Sequence, residues 1–273
     1  VGGVLRCTLG SQDGLYARDV TIVGDDPADW TIADTYIMEM TMKDSGGNNV
    51  TVDVTPANIQ SHLEYTLGDT YDGYVNCLPI LRNFERPIAN GGNLYALLEL
   101  NGEFTNHKES PNLIIVSADG GATWTFSHLV NYSILSRRTL LESSLVFVGN
   151  TIHVISRKSS GAIEHNISPD YGATWLAASN LALPTIATKP SAINYYKHDD
   201  TIGCVMAIPL ISEADATTLT KRTTVGIYTT TDFVTLTEIA KIITPSYCNY
   251  PTLYYYSNAL LMVYTKGLKV YTD

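Results

Sequence analysis

The sequence predicts an all-β fold, a β-propeller of four-stranded antiparallel blades, and three observations carry that prediction. Short runs rich in Val, Ile, Thr and Tyr recur from one end of the chain to the other. Clusters of Gly, Asn, Asp and Ser separate them, and one eight-residue turn occurs twice at matching places in successive repeats.

Taken in order, the clearest strands are Asn93 to Leu100, Leu113 to Val116, Thr151 to Ser156, Thr224 to Thr229 and Ala259 to Tyr264. Eighteen tyrosines suit such half-buried pleated surfaces. Hairpins fall at Asn90-Gly91-Gly92 and Gly149-Asn150, where a positive φ is needed and Gly or Asn supplies it. No long amphipathic helix is expected; Pro56 to His62 reads as a turn or two. The first 70 residues carry no chemical motif, and Asp25-Asp26-Pro27-Ala28-Asp29-Trp30 reads as a solvated polar turn rather than a Ca²⁺ loop.

The repeat decides the architecture. Ser117-Ala118-Asp119-Gly120-Gly121-Ala122-Thr123-Trp124 and Ser168-Pro169-Asp170-Tyr171-Gly172-Ala173-Thr174-Trp175 share S-x-D-x-G-A-T-W, and their starts lie 51 residues apart. Thr230-Thr231-Asp232-Phe233 reads as an eroded third copy and Ser11-Gln12-Asp13-Gly14 as a weaker fourth. In such a turn the Asp accepts bonds from turn amides, the Gly is left-handed and the Trp packs under the hairpin, so the motif is a staple and carries no catalytic role. Blades of about 45 to 50 residues follow. Six fit tightly into 273 residues, and five is the alternative. Residues 1–273 read as one propeller domain, and a chain starting at Val1 reads as part of a longer protein.

Composition narrows function. The chain is 45% hydrophobic and 16% charged, enough for a large core. A net charge of −10 disfavours nucleic acid and leaves 17 Lys and Arg from which any anion site must be built. Cys7, Cys77, Cys204 and Cys248 lie far apart without metal-ligand spacing and read as buried free thiols. No metal or cofactor is implied, no Gly-rich phosphate loop is present, and no apolar run reaches membrane-spanning length.

With these motifs in place, the sequence resembles the sialidase (neuraminidase) superfamily of glycoside hydrolases, whose six-bladed propellers carry such turns, the Asp boxes. The resemblance runs from about Asn83 to Tyr264. It implies three arginines on the substrate carboxylate, a Tyr nucleophile, a Glu that activates it and an acid for the leaving group. A neutral phenol suits this chemistry because the substrate carries its own carboxylate on the anomeric carbon, which repels a charged nucleophile. The phenol titrates near 10 and needs a base. By position relative to the turns, the resemblance assigns Glu142 as base, Arg157 and Arg222 as clamp residues and Tyr250 as nucleophile. The first clamp residue is Arg86, with Arg82 as the alternative on the same strand face.

The acid departs from the family pattern. The segment Asn101 to Asn112, where the family carries an Asp, has none; His107 stands nearest, with Glu103 and Glu109 close by. The acid is either substituted, as in phage-tail depolymerases of polysialic acid, or lost. The leading expectation is therefore a glycosidase acting on sialic acid or a related acidic sugar. The alternative is a non-catalytic glycan-binding or adhesive propeller, and a weaker one is a different glycosidase with paired carboxylates on five blades. Sialylated or other acidic glycans are the expected partners, without membrane insertion, and a secreted, extracellular or virion-surface location fits either of the first two.

Overall fold

Strands account for nearly all the regular structure in the computed structural model, which describes residues 3–10, 13–68, 75–80, 87–103, 108–109, 111–131, 140–158, 160–183, 186–187, 190–196, 202–211, 223–244, 247–256 and 259–267. The first sheet pairs β1 (Gly3–Gly10) with β2 (Leu15–Ile22) antiparallel, and β3 (Thr31–Ile32) and β4 (Tyr36–Ile37) also pair with β2. The acidic loop between β2 and β3 is a capped 3-10 turn at Pro27–Asp29, where Asp26 Oδ1 accepts from the Ala28 N–H at 2.9 Å.

The second sheet is larger than a four-stranded blade. A hairpin of β5 (Glu39–Lys43) and β6 (Asn49–Asp53) precedes helix α1 (Pro56–Leu67) and the strands β7 (Val75–Ile80), β8 (Ile88–Asn90), β9 (Asn93–Glu103), β10 (Lys108–Glu109), β11 (Asn112–Ser117) and β12 (Thr125–Leu129). Its order is β10-β9-β11-β12-β5-β6, with β7 and β8 also paired to β9. The hairpin joins by parallel pairing of β5 to β12, sealed where the Thr41 N–H donates to the Trp124 carbonyl at 2.8 Å.

Helix α1 corrects the expectation of a turn or two at Pro56 to His62. It runs 12 residues, with Thr55 as N-cap, Pro56 in its first turn and Gly68 at φ 52 closing it. Its buried stripe is narrow, Ile59, His62 and Leu63 at i, i+3 and i+4, which is why the periodicity was faint. That stripe meets Met40, Met42, Leu98, Leu113 and Phe126, so tertiary packing holds the helix.

The third sheet is a regular four-stranded meander, β13 (Leu140–Val148), β14 (Thr151–Lys158), β15 (Ile163–Ser168) and β16 (Ser179–Asn180). The fourth contains β17 (Ile186–Ala187), β18 (Ser191–Tyr196), β19 (Ile202–Ile211), β20 (Thr224–Thr230) and β21 (Thr237–Ile243), and the fifth is a hairpin of β22 (Tyr247–Tyr256) and β23 (Ala259–Gly267). The uniform four-stranded blade thus holds in the third sheet and varies elsewhere.

Burial shows how the sheets face one another. The middle strands β11, β14 and β15 are buried on both faces, whereas β21 is exposed along nearly its whole length. Separate apolar clusters fill each interface: one with Tyr95, Leu97, Phe147 and Val154 between the second and third sheets, one with Val146, Ile155, Met206 and Phe233 between the third and fourth, and one with Val205, Ile227, Cys248 and Leu253 between the fourth and fifth. The inner strands pack in sequence, β8 on β13, β13 on β18 and β18 on β22. Among the described residues the result is a propeller-like arrangement of four blades.

The two S-x-D-x-G-A-T-W turns share one geometry. Ser117 Oγ accepts from the Gly121 N–H at 2.8 Å and Ser168 Oγ from the Gly172 N–H at 2.7 Å; Asp119 and Asp170 accept from the N–H groups of Thr123 and Thr174 at 2.9 and 2.7 Å. The Thr hydroxyls donate to the same carboxylates. The glycines take φ 95 and 100. In the eroded copy Asp232 accepts from Val234 and Thr235 at 2.9 and 2.8 Å, so the staple survives one residue shorter, with Phe233 left-handed at φ 57. The fourth copy falls partly outside the described residues. Cys204 and Cys248 are buried and form no disulfide among the described residues, in keeping with the sequence expectation; the side chains of Cys7 and Cys77 lie outside the described residues.

Candidate functional site

The inner strand of the third sheet is irregular at its start. Leu141 pairs with Arg157 and Ser143 with Ser156, so Glu142 is the extra residue of a β-bulge and takes φ 44. A left-handed Glu costs on the order of 1 kcal/mol and persists only where its surroundings fix it. They do: its N–H donates to Glu99 Oε2 at 3.0 Å, and its Oε2 accepts from Arg157 Nη1 at 2.9 Å. The Glu142 side chain is 4% exposed and that of Arg157 17%, so a buried carboxylate meets a partly buried guanidinium. Arg157 Nε is buried and has no acceptor among the described residues.

A polar floor supports the bulge. Asn112 Nδ2 donates to the Leu140 carbonyl at 2.7 Å and to Ser143 Oγ at 2.8 Å, and Ser143 Oγ donates to Ser156 Oγ at 2.8 Å. All three side chains are buried, so the network is satisfied internally rather than by bulk water.

Tyr250 stands on a second bulge of the same kind. The register of β22 against β23 shifts between Asn249 and Thr252, and Tyr250, 43% exposed, takes φ 51. Two seams fix the relative height of the strands: Ser144 Oγ accepts from the Ala192 N–H at 3.0 Å, and Ser191 Oγ accepts from the Leu253 N–H at 3.2 Å. Glu142 precedes Ser144 by two residues and Tyr250 precedes Leu253 by three. Both bulges therefore sit toward the start of their inner strands, with β18 between them. A cleft of about 270 Å³ opens between β8, β18 and β22, lined by Pro87 to Ala89, Ser191 to Ile193 and Thr252 to Tyr255; Glu142, Arg157 and Tyr250 are not among its lining residues.

Of the residues singled out in the sequence, Glu142 and Arg157 are brought into direct contact and Tyr250 lies on the bulged start of the fifth sheet. Arg82, Arg86, His107 and Arg222 lie outside the described residues. Glu103 and Glu109 belong to β9 and β10, and their side chains lie outside the described residues.

Two features escaped the sequence reading. Glu99, only 4% exposed, holds the Glu142 amide; the one signal was a carboxylate inside the apolar run of β9. The second is a pair of buried imidazoles: His153 Nδ1 and His165 Nε2 lie 2.9 Å apart, their rings 10° from parallel with centroids 5.1 Å apart, so they bond edge to edge. The Phe233 ring stacks on both at 4.0 and 4.8 Å. Burial lowers the pKa of each histidine to about 4.

Among the described residues no group of three or more His, Cys, Asp or Glu side chains converges to hold a metal ion, and no helix is long and apolar enough to cross a membrane.

No protein-family model matches the sequence, and no curated protein matches it either. Solved structures do. A mutant of the NanB sialidase from Streptococcus pneumoniae is 14% identical over 92% of this chain and 32% of its own, with a TM-score of 0.54. Trypanosoma rangeli sialidase in complex with 2,3-difluoro-KDN is 14% identical over 97% of this chain and 40% of its own, at 0.58, and the same enzyme with 2,3-difluorosialic acid is described as a covalent intermediate. The leech intramolecular trans-sialidase complexed with 2,7-anhydro-Neu5Ac is 16% identical over 93% and 33%, at 0.56. The chain spans well under half the length of these proteins, and at such identities the likeness is one of fold: this propeller-like arrangement is sialidase-like.

Proposed function

We propose that the chain is the propeller of a sialidase-like glycoside hydrolase acting on sialic acid or a related acidic sugar, and that its stapled turns are Asp boxes. The observation that supports this most directly is the part-buried Glu142–Arg157 pair at 2.9 Å on a left-handed bulge, matched by a second left-handed bulge carrying Tyr250.

In this reading Arg157, with Arg86 and Arg222, receives the substrate carboxylate through paired N–H groups. Tyr250 Oη attacks the anomeric carbon and passes its proton to Glu142 while the glycosidic C–O bond breaks. The leaving oxygen takes a proton from an acid, for which His107, Glu103 and Glu109 are the candidates. Water then attacks the anomeric carbon and gives a proton to the now deprotonated acid while the C–O bond to Tyr250 breaks, and Glu142 returns its proton to the phenolate oxygen. A secreted or virion-surface location belongs to the same reading.

The test is turnover of a fluorogenic sialoside by the wild-type chain and by Tyr250→Phe and Arg222→Ala. Release by wild type and its loss in both variants supports the proposal; equal turnover in all three removes it.

One observation favours a second reading, a non-catalytic glycan-binding propeller. Tyr250, Tyr254 and Tyr255 are 43%, 39% and 56% exposed along one strand, and aromatic platforms of this kind suit sugar faces. Glycan-array binding without product release would select it.

A further inference from the structure

We infer that Glu99 is a positioning residue that fixes the backbone of Glu142 and thereby aims its carboxylate at Arg157. The inference rests on the proposed role of Glu142 as base, but its structural content is independent of that role.

The bulge creates the need. Because Leu141 and Ser143 take the ladder positions opposite Arg157 and Ser156, Glu142 has no ladder partner in β14. Its left-handed φ of 44 turns its N–H away from that strand. A buried N–H without an acceptor is costly, so something must receive it. Glu99 Oε2 does so at 3.0 Å, reaching across from β9 in the neighbouring blade.

The partner of Glu99 completes the clamp. Glu99 and Asn112 are directly opposite in the β9–β11 ladder. Asn112 Nδ2 holds the Leu140 carbonyl at 2.7 Å and Ser143 Oγ at 2.8 Å. One acceptor and one donor from facing positions of two strands thus grip the chain on both sides of Glu142. Every member is buried, Glu99 at 4%, Asn112 at 1%, Glu142 at 3% and Ser143 at 3%, so water is poorly placed to substitute for a lost partner. Releasing the Glu142 N–H frees the bulge to relax toward an ordinary extended φ, which swings its side chain to the opposite face of the strand and away from Arg157.

Glu99→Gln keeps an acceptor oxygen in nearly the same place, whereas Glu99→Ala removes it. The experiment compares both with wild type by sialoside kinetics at a temperature where each is folded, and by crystal structures. The expected result is a kcat about tenfold to a hundredfold lower in Glu99→Ala, with KM changed far less, and substantial recovery in Glu99→Gln. The crystal structure of Glu99→Ala should show Glu142 out of the left-handed region and its contact with Arg157 broken. A Glu99→Ala structure retaining both the positive φ and the 2.9 Å pair overturns the inference. So does unchanged kcat in Glu99→Ala. If wild type turns over no sialoside, the proposed function fails while the structures still decide the role of Glu99. Should Glu99→Ala fail to fold, Glu99→Gln and Glu99→Leu take its place, and a Glu99→Leu structure with an undisturbed Glu142 is equally fatal.

Discussion

Arg157 Nη1 lies 2.9 Å from Glu142 Oε2, and the two residues stand on adjacent strands of one blade with the carboxylate almost wholly removed from water. Removing the cation leaves a buried, unpaired carboxylate, which costs about 3 to 5 kcal/mol. Arg157→Ala should therefore lower the urea midpoint markedly, and Glu142→Gln, which leaves no buried anion behind, should lower it less. Equal midpoints for wild type and Arg157→Ala would show that the pair contributes nothing to the fold.

The three stapled turns answer to acid. The hydroxyl and amide of Thr123 hold the Asp119 carboxyl down at about 2, and the amides of Thr235 and Val234 do the same for Asp232. For a carboxylate with a lowered folded pKa, the stabilisation is present above its unfolded value near 4 and is lost as the pH falls toward 2. Asp119→Asn and Asp232→Asn should each reduce the melting temperature at pH 6 and flatten its decline below pH 4. A variant whose melting curve tracks wild type at every pH would show that the turn is not a staple.

Buried histidines act over a different window. Burial first, and then a neighbouring charge or imidazole where one exists, brings His62, His153 and His165 to about 4. The unfolded chain binds these protons near pH 6.5 and the folded chain does not, so stability is full above 6.5 and falls as the pH drops from 6.5 to 4. The loss is on the order of 3 kcal/mol per group at most. Urea midpoints measured from pH 7 to pH 4.5 should decline, and His165→Gln should make the decline shallower. A flat wild-type profile across that range contradicts the assignment.

Gly172 is constrained twice over. At φ 100 it lies where side chains are strained, and a Cβ there would stand 2.9 Å from Ile114 Cδ1. Gly149 has a positive φ of 61 but open space around it. Gly172→Ala should thus be more destabilising than Gly149→Ala by at least about 1 kcal/mol, as measured by chemical denaturation; equal losses would mean that backbone strain alone decides both.

Much of the fold was legible because strand period and turn chemistry are local. Leu113 to Val116 and Thr151 to Ser156 fell inside β11 and β14, and the paired turns announced successive blades. Helix α1 was understated because only Ile59, His62 and Leu63 face the core, and its length comes from neighbours distant in sequence. The added hairpin β5–β6 was invisible for a similar reason: its attachment to β12 is a parallel pairing that no local pattern encodes. At the site, Glu142 and Arg157 could be paired by their places in a hairpin, whereas Glu99 acts across blades on a backbone amide, and its own strand shows only a carboxylate in an apolar run without indicating what it holds.

The proposed chemistry requires Tyr250 to form a bond to the sugar. Incubation with 2,3-difluorosialic acid, followed by peptide mapping by mass spectrometry, reads this directly. The C2 fluoride should leave, the Tyr250 oxygen should bond to C2, and the phenolic proton should pass to Glu142. The expected result is one glycosyl adduct on the Tyr250 peptide of the wild-type chain, absent from Tyr250→Phe and slowed in Glu142→Gln. An unmodified wild-type chain, or an adduct that persists in Tyr250→Phe, contradicts the account.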